Sequence, residues 1–140
     1  MIHPATAPVR NVVDTSGWLE YMTNGPNSNL FAPAIEDTDT LVVPTVSVLE
    51  VFRWVLRERG ESDALQATAM MQQGIVVDLD AALALKAAKL GHTHKLPLAD
   101  SVIYATAREY NAVLWTQDGH FAGLADVEYH PKHQPSSGTT

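Results

Sequence analysis

The chain has 140 residues, of which 46% are hydrophobic, so it is long enough for one domain and too apolar for general disorder. The absence of cysteine excludes disulfides and thiolate metal sites and fits a cytoplasmic location. No apolar run is long enough to span a membrane, so no association with a membrane is expected. The formal net charge of -7 argues against a general nucleic-acid binder, unless part of that charge belongs to a metal site.

Two terminal segments flank a single predicted domain. Residues 1–8, with Pro4 and Pro8, are predicted to form an N-terminal extension. Residues 131–140 are rich in Pro, Ser, Gly and Thr, a composition that is typical of a flexible tail. The folded domain is therefore predicted to span residues 9–130, without a signal peptide, an internal repeat or a linker.

Within this domain, short apolar strand patterns alternate with helical patterns. In chain order we predict strand 9–13, helices 16–23 and 30–37, strand 41–43, helices 45–59 and 62–73, strand 75–77, helices 81–90 and 98–110, and strands 112–115 and 127–129. This alternation predicts an α/β domain in which helices cover both faces of a mostly parallel sheet.

Three acidic residues follow or flank the ends of predicted strands. Asp14 comes directly after the first strand, Asp118 closely follows the fourth, and Glu50 lies early in the helix after the second. Because sites in such sheets form at the carboxyl ends of the strands, these three side chains are expected at one edge.

A fourth acid, Asp100, requires a longer argument. Helix 81–90 is expected to carry the chain away from that edge by roughly 15 Å. Residues 91–97, if extended, can span about 23 Å and return it, which places Asp100 near the start of the next helix and close to the other acids.

Four carboxylates at one edge would repel one another and raise each other's pKa. A hard divalent cation removes that conflict, and oxygen ligands without cysteine suit Mg²⁺, with Mn²⁺ as the second choice. Such an ion binds a phosphate oxygen, activates water and stabilises the leaving oxygen, so the predicted chemistry is phosphodiester hydrolysis.

Each acid also has an ordinary structural explanation. Asp14 is a candidate N-cap, although Thr15 and Ser16 would serve as well, and Asp100 in a first turn complements the helix dipole. The segment 47–50 fits a capping box that would employ Glu50, and Asp118 with Gly119 forms a common turn pair. Only the joint placement of the four acids favours a metal site.

Several other residues are weaker candidates. Asp78 and Asp80 also follow a strand, but Asp80 is expected to cap helix 81–90. His120 is near the expected site and is a candidate for contact with substrate. Arg53 and Arg57 lie on one face of helix 45–59 and are candidates for phosphate binding, or for surface pairing with Glu50 or Glu58. Four further histidines are expected to be solvated, and the three tryptophans are expected to be in the core; they are His92, His94, His130 and His133, and Trp18, Trp54 and Trp115.

The segments that carry the four acids resemble the acidic motifs of PIN domains, and more narrowly those of VapC-type toxins of prokaryotic toxin–antitoxin pairs. These segments are VVDTS at 12–16, SVLEV at 47–51, LPLADS at 96–101 and TQDGHF at 116–121. The similarity extends from about residue 9 to residue 129. The leading extension and the polar tail depart from the family pattern, but neither contains an acidic motif.

The resemblance implies a three-layer α/β/α sandwich with the activity of a Mg²⁺-dependent endoribonuclease that cuts RNA. It also implies a homodimer and inhibition by a small antitoxin protein. Carried over by motif, the metal-site acids are Asp14, Glu50, Asp100 and Asp118. Ser16 and Thr116 would support them through hydrogen bonds.

Two alternatives remain at this stage. One is a PIN nuclease of RNA processing or decay that is not a toxin, and the other is a receiver-like or inactive binding module on a similar fold. Asp14 lacks the acidic neighbour that a receiver requires, and Ser16 stands where a haloacid-dehalogenase-type phosphatase has a second aspartate.

Overall fold

The structure, a computed structural model, describes residues 9–133. The predicted extension at 1–8 and most of the predicted tail, from 134 onward, lie outside these residues. The strands are β1 (Arg10–Val13), β2 (Leu41–Pro44), β3 (Ile75–Val77), β4 (Ala112–Thr116) and β5 (Val127–Tyr129). The helices are α1 (Thr15–Met22), α2 (Ser28–Glu36), α3 (Thr45–Arg59), α4 (Glu61–Met71), α5 (Ala81–His94) and α6 (Leu98–Glu109).

Every predicted strand and helix is present in the predicted order. Most predicted element ends agree with the structure within two residues, because local signals such as the Asp80 cap and Gly60 determine them. As predicted, Asp80 caps α5: its carboxylate accepts a hydrogen bond from Leu83 N at 2.8 Å. A single 3₁₀ turn, Gly119–Phe121, follows β4. Within residues 9–133, no helix has both the length and the apolar character needed to cross a membrane.

The five strands form one sheet in the order β3-β2-β1-β4-β5, and every pairing in it is parallel. The order reverses between β1 and β4, because the chain adds β2 and β3 on one side of β1 and returns to add β4 on the other. Ligands of open parallel sheets bind at such a reversal, outside the carboxyl ends of the strands. This order also differs from the β2-β1-β3-β4-β5 order of receiver-like folds, so the receiver alternative is wrong.

Two cores lie on opposite faces of the sheet. Val12 belongs to the core under α5 and α6, whereas its neighbour Val13 belongs to the core under the first four helices. Successive side chains of a strand point to opposite faces, so this division places helices on both sides. The predicted three-layer α/β/α architecture is therefore confirmed. Trp18 is fully buried in the second core, as expected, and Trp54 and Trp115 pack against it.

Helix α5 takes a different path from the one expected. It continues to His94, so residues 91–94 are helical and the predicted extended return is wrong. Lys86 pairs with Glu109 near the end of α6, and Gly91 lies against Ser101 near its start. The two helices are therefore antiparallel, and α5 delivers the chain directly to the start of α6, where Asp100 lies.

Gly91 allows this close approach because it lacks a side chain. A Cβ at this position would collide with Ser101 Oγ and lie 3.0 Å from Ser101 Cβ. Glycine inside a helix ordinarily costs about 1 kcal/mol relative to alanine, so its presence here is explained by packing.

We expect Gly91→Ala to lower the free energy of unfolding by about 1–3 kcal/mol through overpacking, despite the better helix propensity of alanine. Urea denaturation measures the change, and the double variant Gly91→Ala/Ser101→Gly should recover most of the loss. Equal or greater stability of Gly91→Ala alone would show that the two helices can separate without cost.

Candidate metal centre

Asp14 lies at the end of β1 and is the N-cap of α1. The residue is 2% exposed, and its carboxylate accepts hydrogen bonds from Gly17 N at 2.9 Å and from Ser16 Oγ at 2.8 Å. Thr116 Oγ1 donates to the other carboxylate oxygen at 2.7 Å. The capping explanation for Asp14 is therefore correct, and the same carboxylate is also held from β4.

Thr116 connects two of the four acids. Its hydroxyl donates to Asp14 and accepts a hydrogen bond from the backbone N of Asp118 at 2.8 Å. Asp14 N in turn donates to the carbonyl of Trp115 at 3.1 Å, which continues the pairing of β1 with β4. The backbone that carries Asp118 is thus attached to the Asp14 carboxylate through one side chain at the sheet reversal.

Glu50 joins the site through Thr15. Thr15 Oγ1 donates to Glu50 Oε1 at 2.6 Å, and it is free to do so because Asp14, rather than Thr15, caps α1. The capping-box explanation for Glu50 is wrong, because α3 begins at Thr45 with Pro44 as its N-cap and Ser47 is buried inside the first turn. From the sequence, Thr15 was expected only as a possible N-cap. Its position next to Asp14 is the one feature of the sequence that points to its hydrogen bond with Glu50.

Asp100 and Asp118 meet around His120. Asp100 lies in the first turn of α6, as expected from the dipole argument, and Asp118 accepts a hydrogen bond from His120 N. His120 Nδ1 is 3.2 Å from Asp100 Oδ2 and 3.0 Å from Asp118 Oδ1. The histidine that was a weaker candidate for substrate contact therefore lies between two of the predicted metal ligands.

Electrostatic coupling extends across all four acids. Burial raises the pKa of Asp14 from 3.8 to about 6, against the lowering effect of its hydrogen bonds, and the Asp118 charge raises it further. Burial likewise raises the pKa of Asp100 to about 6, with further increases from the charges of Asp118 and Glu50. Charge interactions thus link Asp118 with Asp14 and with Asp100, and Glu50 with Asp100. Carboxylate oxygens are donors that suit a hard divalent cation. Among the described residues, the potential metal ligands whose atoms lie within 4.8 Å of one another are Asp100, Asp118 and His120.

A hydrogen-bond network beside the site holds the residue before Asp118. Asn27 Nδ2 donates to Gln117 Oε1 and to the carbonyl of Pro131, each at 3.0 Å. The Glu20 carboxylate accepts from Asn27 N at 2.6 Å. Sequence patterns gave no signal for these contacts, which tie the α1–α2 connection and the first residue of the predicted tail to the end of β4.

The arginines on α3 lie at the surface. Arg57 Nε pairs with Glu58 Oε2 at 3.0 Å, as the surface alternative expected, and Arg53 is also exposed. Asp78, beyond β3, is exposed as well. His130 stacks on Trp115, with ring centroids 6.3 Å apart, so this histidine is not simply solvated.

The profile of the PIN domain family matches residues 12–127, which include all four acids. A search of the curated proteins by sequence finds no match.

The solved structures with a similar fold include a toxin–antitoxin complex and a toxin. A toxin–antitoxin complex from Klebsiella pneumoniae superposes with a TM-score of 0.71 at 19% identity, covering 84% of this chain and 95% of that one. The sarcin–ricin loop cleaving toxin VapC20 from Mycobacterium tuberculosis gives 0.67 at 18% identity, covering 81% and 94%. VapBC-1 from nontypeable Haemophilus influenzae gives 0.67 at 20% identity, covering 88% and 98%. At these identities the likeness concerns the fold.

The raised pKa of Asp100 leads to a stability prediction. Because its folded-state pKa of about 6 exceeds the ordinary 3.8, its ionisation destabilises the folded chain as pH rises through 6, and the protonated form is favoured below 4. Without metal, Asp100→Asn should therefore raise the free energy of unfolding at pH 8 by about 1 kcal/mol, since solvent screens the charge of this half-buried group, and by much less at pH 4.

Urea denaturation in EDTA at the two pH values measures this difference. Asp78→Asn is the matched control, because Asp78 is exposed and outside the site, and it should give no gain. A gain of the same size at pH 4 and pH 8 would mean that repulsion and burial of the Asp100 charge are not the cause.

Proposed function

Because the chain belongs to the PIN-domain family, whose profile covers residues 12–127, we propose that it is a metal-dependent endoribonuclease that hydrolyses RNA phosphodiester bonds. The observation that carries this proposal is the coupling of four carboxylates at the reversal of the strand order. Asp14 and Asp118 follow the two strands on either side of that reversal, and Glu50 and Asp100 approach from α3 and α6.

In this proposal, Asp14, Glu50, Asp100 and Asp118 hold Mg²⁺ or Mn²⁺. The bound ion would supply water activation and stabilisation of the leaving oxygen. Ser16 and Thr116 act as positioning residues, since their hydroxyls orient the Asp14 carboxylate, and Thr15 orients Glu50 in the same way.

RNA must approach a chain with a net charge of -7, so phosphate binding needs local positive charge. The metal provides part of it. We assign Arg53 a secondary role in guiding phosphates, because it lies one helical turn beyond Glu50 and is exposed. Arg57 has a weaker claim, since its guanidinium is paired with Glu58.

We also propose that the chain is the toxin of a type II toxin–antitoxin pair, inhibited by a small antitoxin. The proposal is supported by the similar folds of the Klebsiella pneumoniae toxin–antitoxin complex and of the Mycobacterium tuberculosis toxin VapC20. A homodimer belongs to the same proposal. The exposed leucines on α5 and α6, such as Leu98 with 86% exposure, supply apolar surface for that contact.

Asp14→Asn should lower the rate of RNA cleavage at least about 100-fold, the cost typical of losing one charge-stabilising group. The assay compares cleavage in Mg²⁺ or Mn²⁺ with an EDTA control. Glu50→Gln should have a similar effect. This variant should fold normally, because the glutamine Oε1 can still accept the hydrogen bond from Thr15. Asp78→Asn, the matched control, should cleave RNA at the wild-type rate.

Circular dichroism separates loss of chemistry from loss of structure in these variants. Wild-type rates in folded Asp14→Asn and Glu50→Gln would refute the proposed site, and cleavage that survives EDTA would refute the metal requirement.

The acidic centre also suggests how an antitoxin would inhibit. Without metal, the four carboxylates attract an arginine, which would form charge-assisted hydrogen bonds where the ion is proposed to bind. Leu49 is 61% exposed next to Glu50 and provides apolar surface for an accompanying helix. Inhibition would then involve displacement of the metal as well as obstruction of RNA.

We expect the purified complex with the antitoxin to cleave RNA poorly, and rising Mg²⁺ to restore part of the activity by competition. Isothermal titration calorimetry would measure Mg²⁺ affinity for the complex and for the free protein under identical conditions. If the complex binds Mg²⁺ as tightly as the free protein does, metal displacement is wrong.

A further inference from the structure

His120 places a nitrogen ligand among the proposed oxygen ligands. It lies in the 3₁₀ turn after β4, and its Nδ1 is within 3.2 Å of carboxylate oxygens from both Asp100 and Asp118. The ligand atoms of these three residues all lie within 4.8 Å of one another. Asp100 arrives from α6 and the other two residues follow β4, so the grouping joins separate elements.

Hydrogen bonding alone satisfies this grouping poorly. The imidazole Nδ1 carries at most one proton, whereas two carboxylate oxygens face it at similar distances. A cation would instead accept a lone pair from each of the three atoms. Adjacent ligands of an octahedral ion with bonds of about 2.1 Å lie about 3.0 Å apart, which agrees with the observed separations around Nδ1.

The local backbone keeps His120 in this position. His120 N donates to Asp118 Oδ1 at 2.9 Å, and Phe121 N donates to the Asp118 carbonyl at 3.2 Å. The Phe121 side chain is fully buried and anchors the turn in the core under α6. The His120 side chain itself is 58% exposed, so an ion from solvent can reach it.

We propose that His120 is a direct ligand of the metal, through Nδ1, and that it makes the site favour Mn²⁺ over Mg²⁺. The inference rests on the metal site of the proposed function and adds to it a fifth ligand and a metal preference. Mg²⁺ is a hard ion that binds oxygen and retains water, whereas the first-row transition metals accept imidazole more readily.

The test compares Mn²⁺ and Mg²⁺ affinities by isothermal titration calorimetry for wild type and His120→Gln. Loss of a residue that only supports a metal ligand lowers metal affinity by about tenfold or more. Loss of a direct ligand should therefore weaken Mn²⁺ binding by at least about tenfold. Mg²⁺ binding should change by less than about threefold, because water can take the vacated position. His92→Gln, which alters an exposed histidine of α5, is the control and should change neither affinity.

A spectroscopic measurement reports on the bond itself. Electron spin echo envelope modulation of bound Mn²⁺ should show coupling to ¹⁴N in wild type and in His92→Gln, and should lose it in His120→Gln.

The outcomes separate this inference from the proposed function. If Glu50→Gln weakens Mn²⁺ binding while His120→Gln leaves both the affinity and the ¹⁴N coupling unchanged, the acidic site stands and the histidine ligand is refuted. If wild type binds neither ion, the proposed function fails first and this inference fails with it.

Discussion

The burial of the Asp14 carboxylate is the constraint on which the rest of the site depends. Burying a carboxylate is costly unless donors satisfy its oxygens, and for Asp14 the donors come from two elements. Gly17 N and Ser16 Oγ belong to the first turn of α1, whereas Thr116 Oγ1 belongs to β4. Because Thr116 also accepts from Asp118 N, satisfying Asp14 positions the next acid as well. The pairing of β1 with β4 is therefore part of the site and not only of the scaffold.

The crowding of negative charge that follows is unfavourable in the metal-free protein. Burial and neighbouring charges raise the pKa of both Asp14 and Asp100, so part of the folding free energy is lost when these groups ionise. Both ligands proposed here, a divalent cation and an arginine of a partner, would relieve the same repulsion. Because both ligands would bind the same carboxylates, the proposed function makes the catalytic metal and the inhibitory arginine compete for one site.

Helix packing contributes the remaining geometry. Asp100 reaches the site because α5 and α6 lie side by side in opposite directions, and Gly91 permits the approach of Ser101. The acids of the proposed metal centre thus come from three kinds of rigid element: strand ends for Asp14 and Asp118, α3 for Glu50, and the start of α6 for Asp100. His120 adds a fourth direction from the turn after β4, which is anchored by Phe121.

The sequence by itself determined the kinds of elements and the placement of acids at their ends. Hydrophobic periodicity and end signals such as Asp80 and Gly60 act over a few residues, so they can be recognised in the sequence without knowledge of the tertiary structure. Only the tertiary structure decided the strand order, the direction of α5, the Thr15–Glu50 hydrogen bond across 35 residues and the Thr116–Asp14 hydrogen bond across 102. Contacts at such separations depend on how whole faces pack against one another. No local pattern specifies which side of β1 receives β4, and that choice brings Asp14, Asp118 and His120 to one edge.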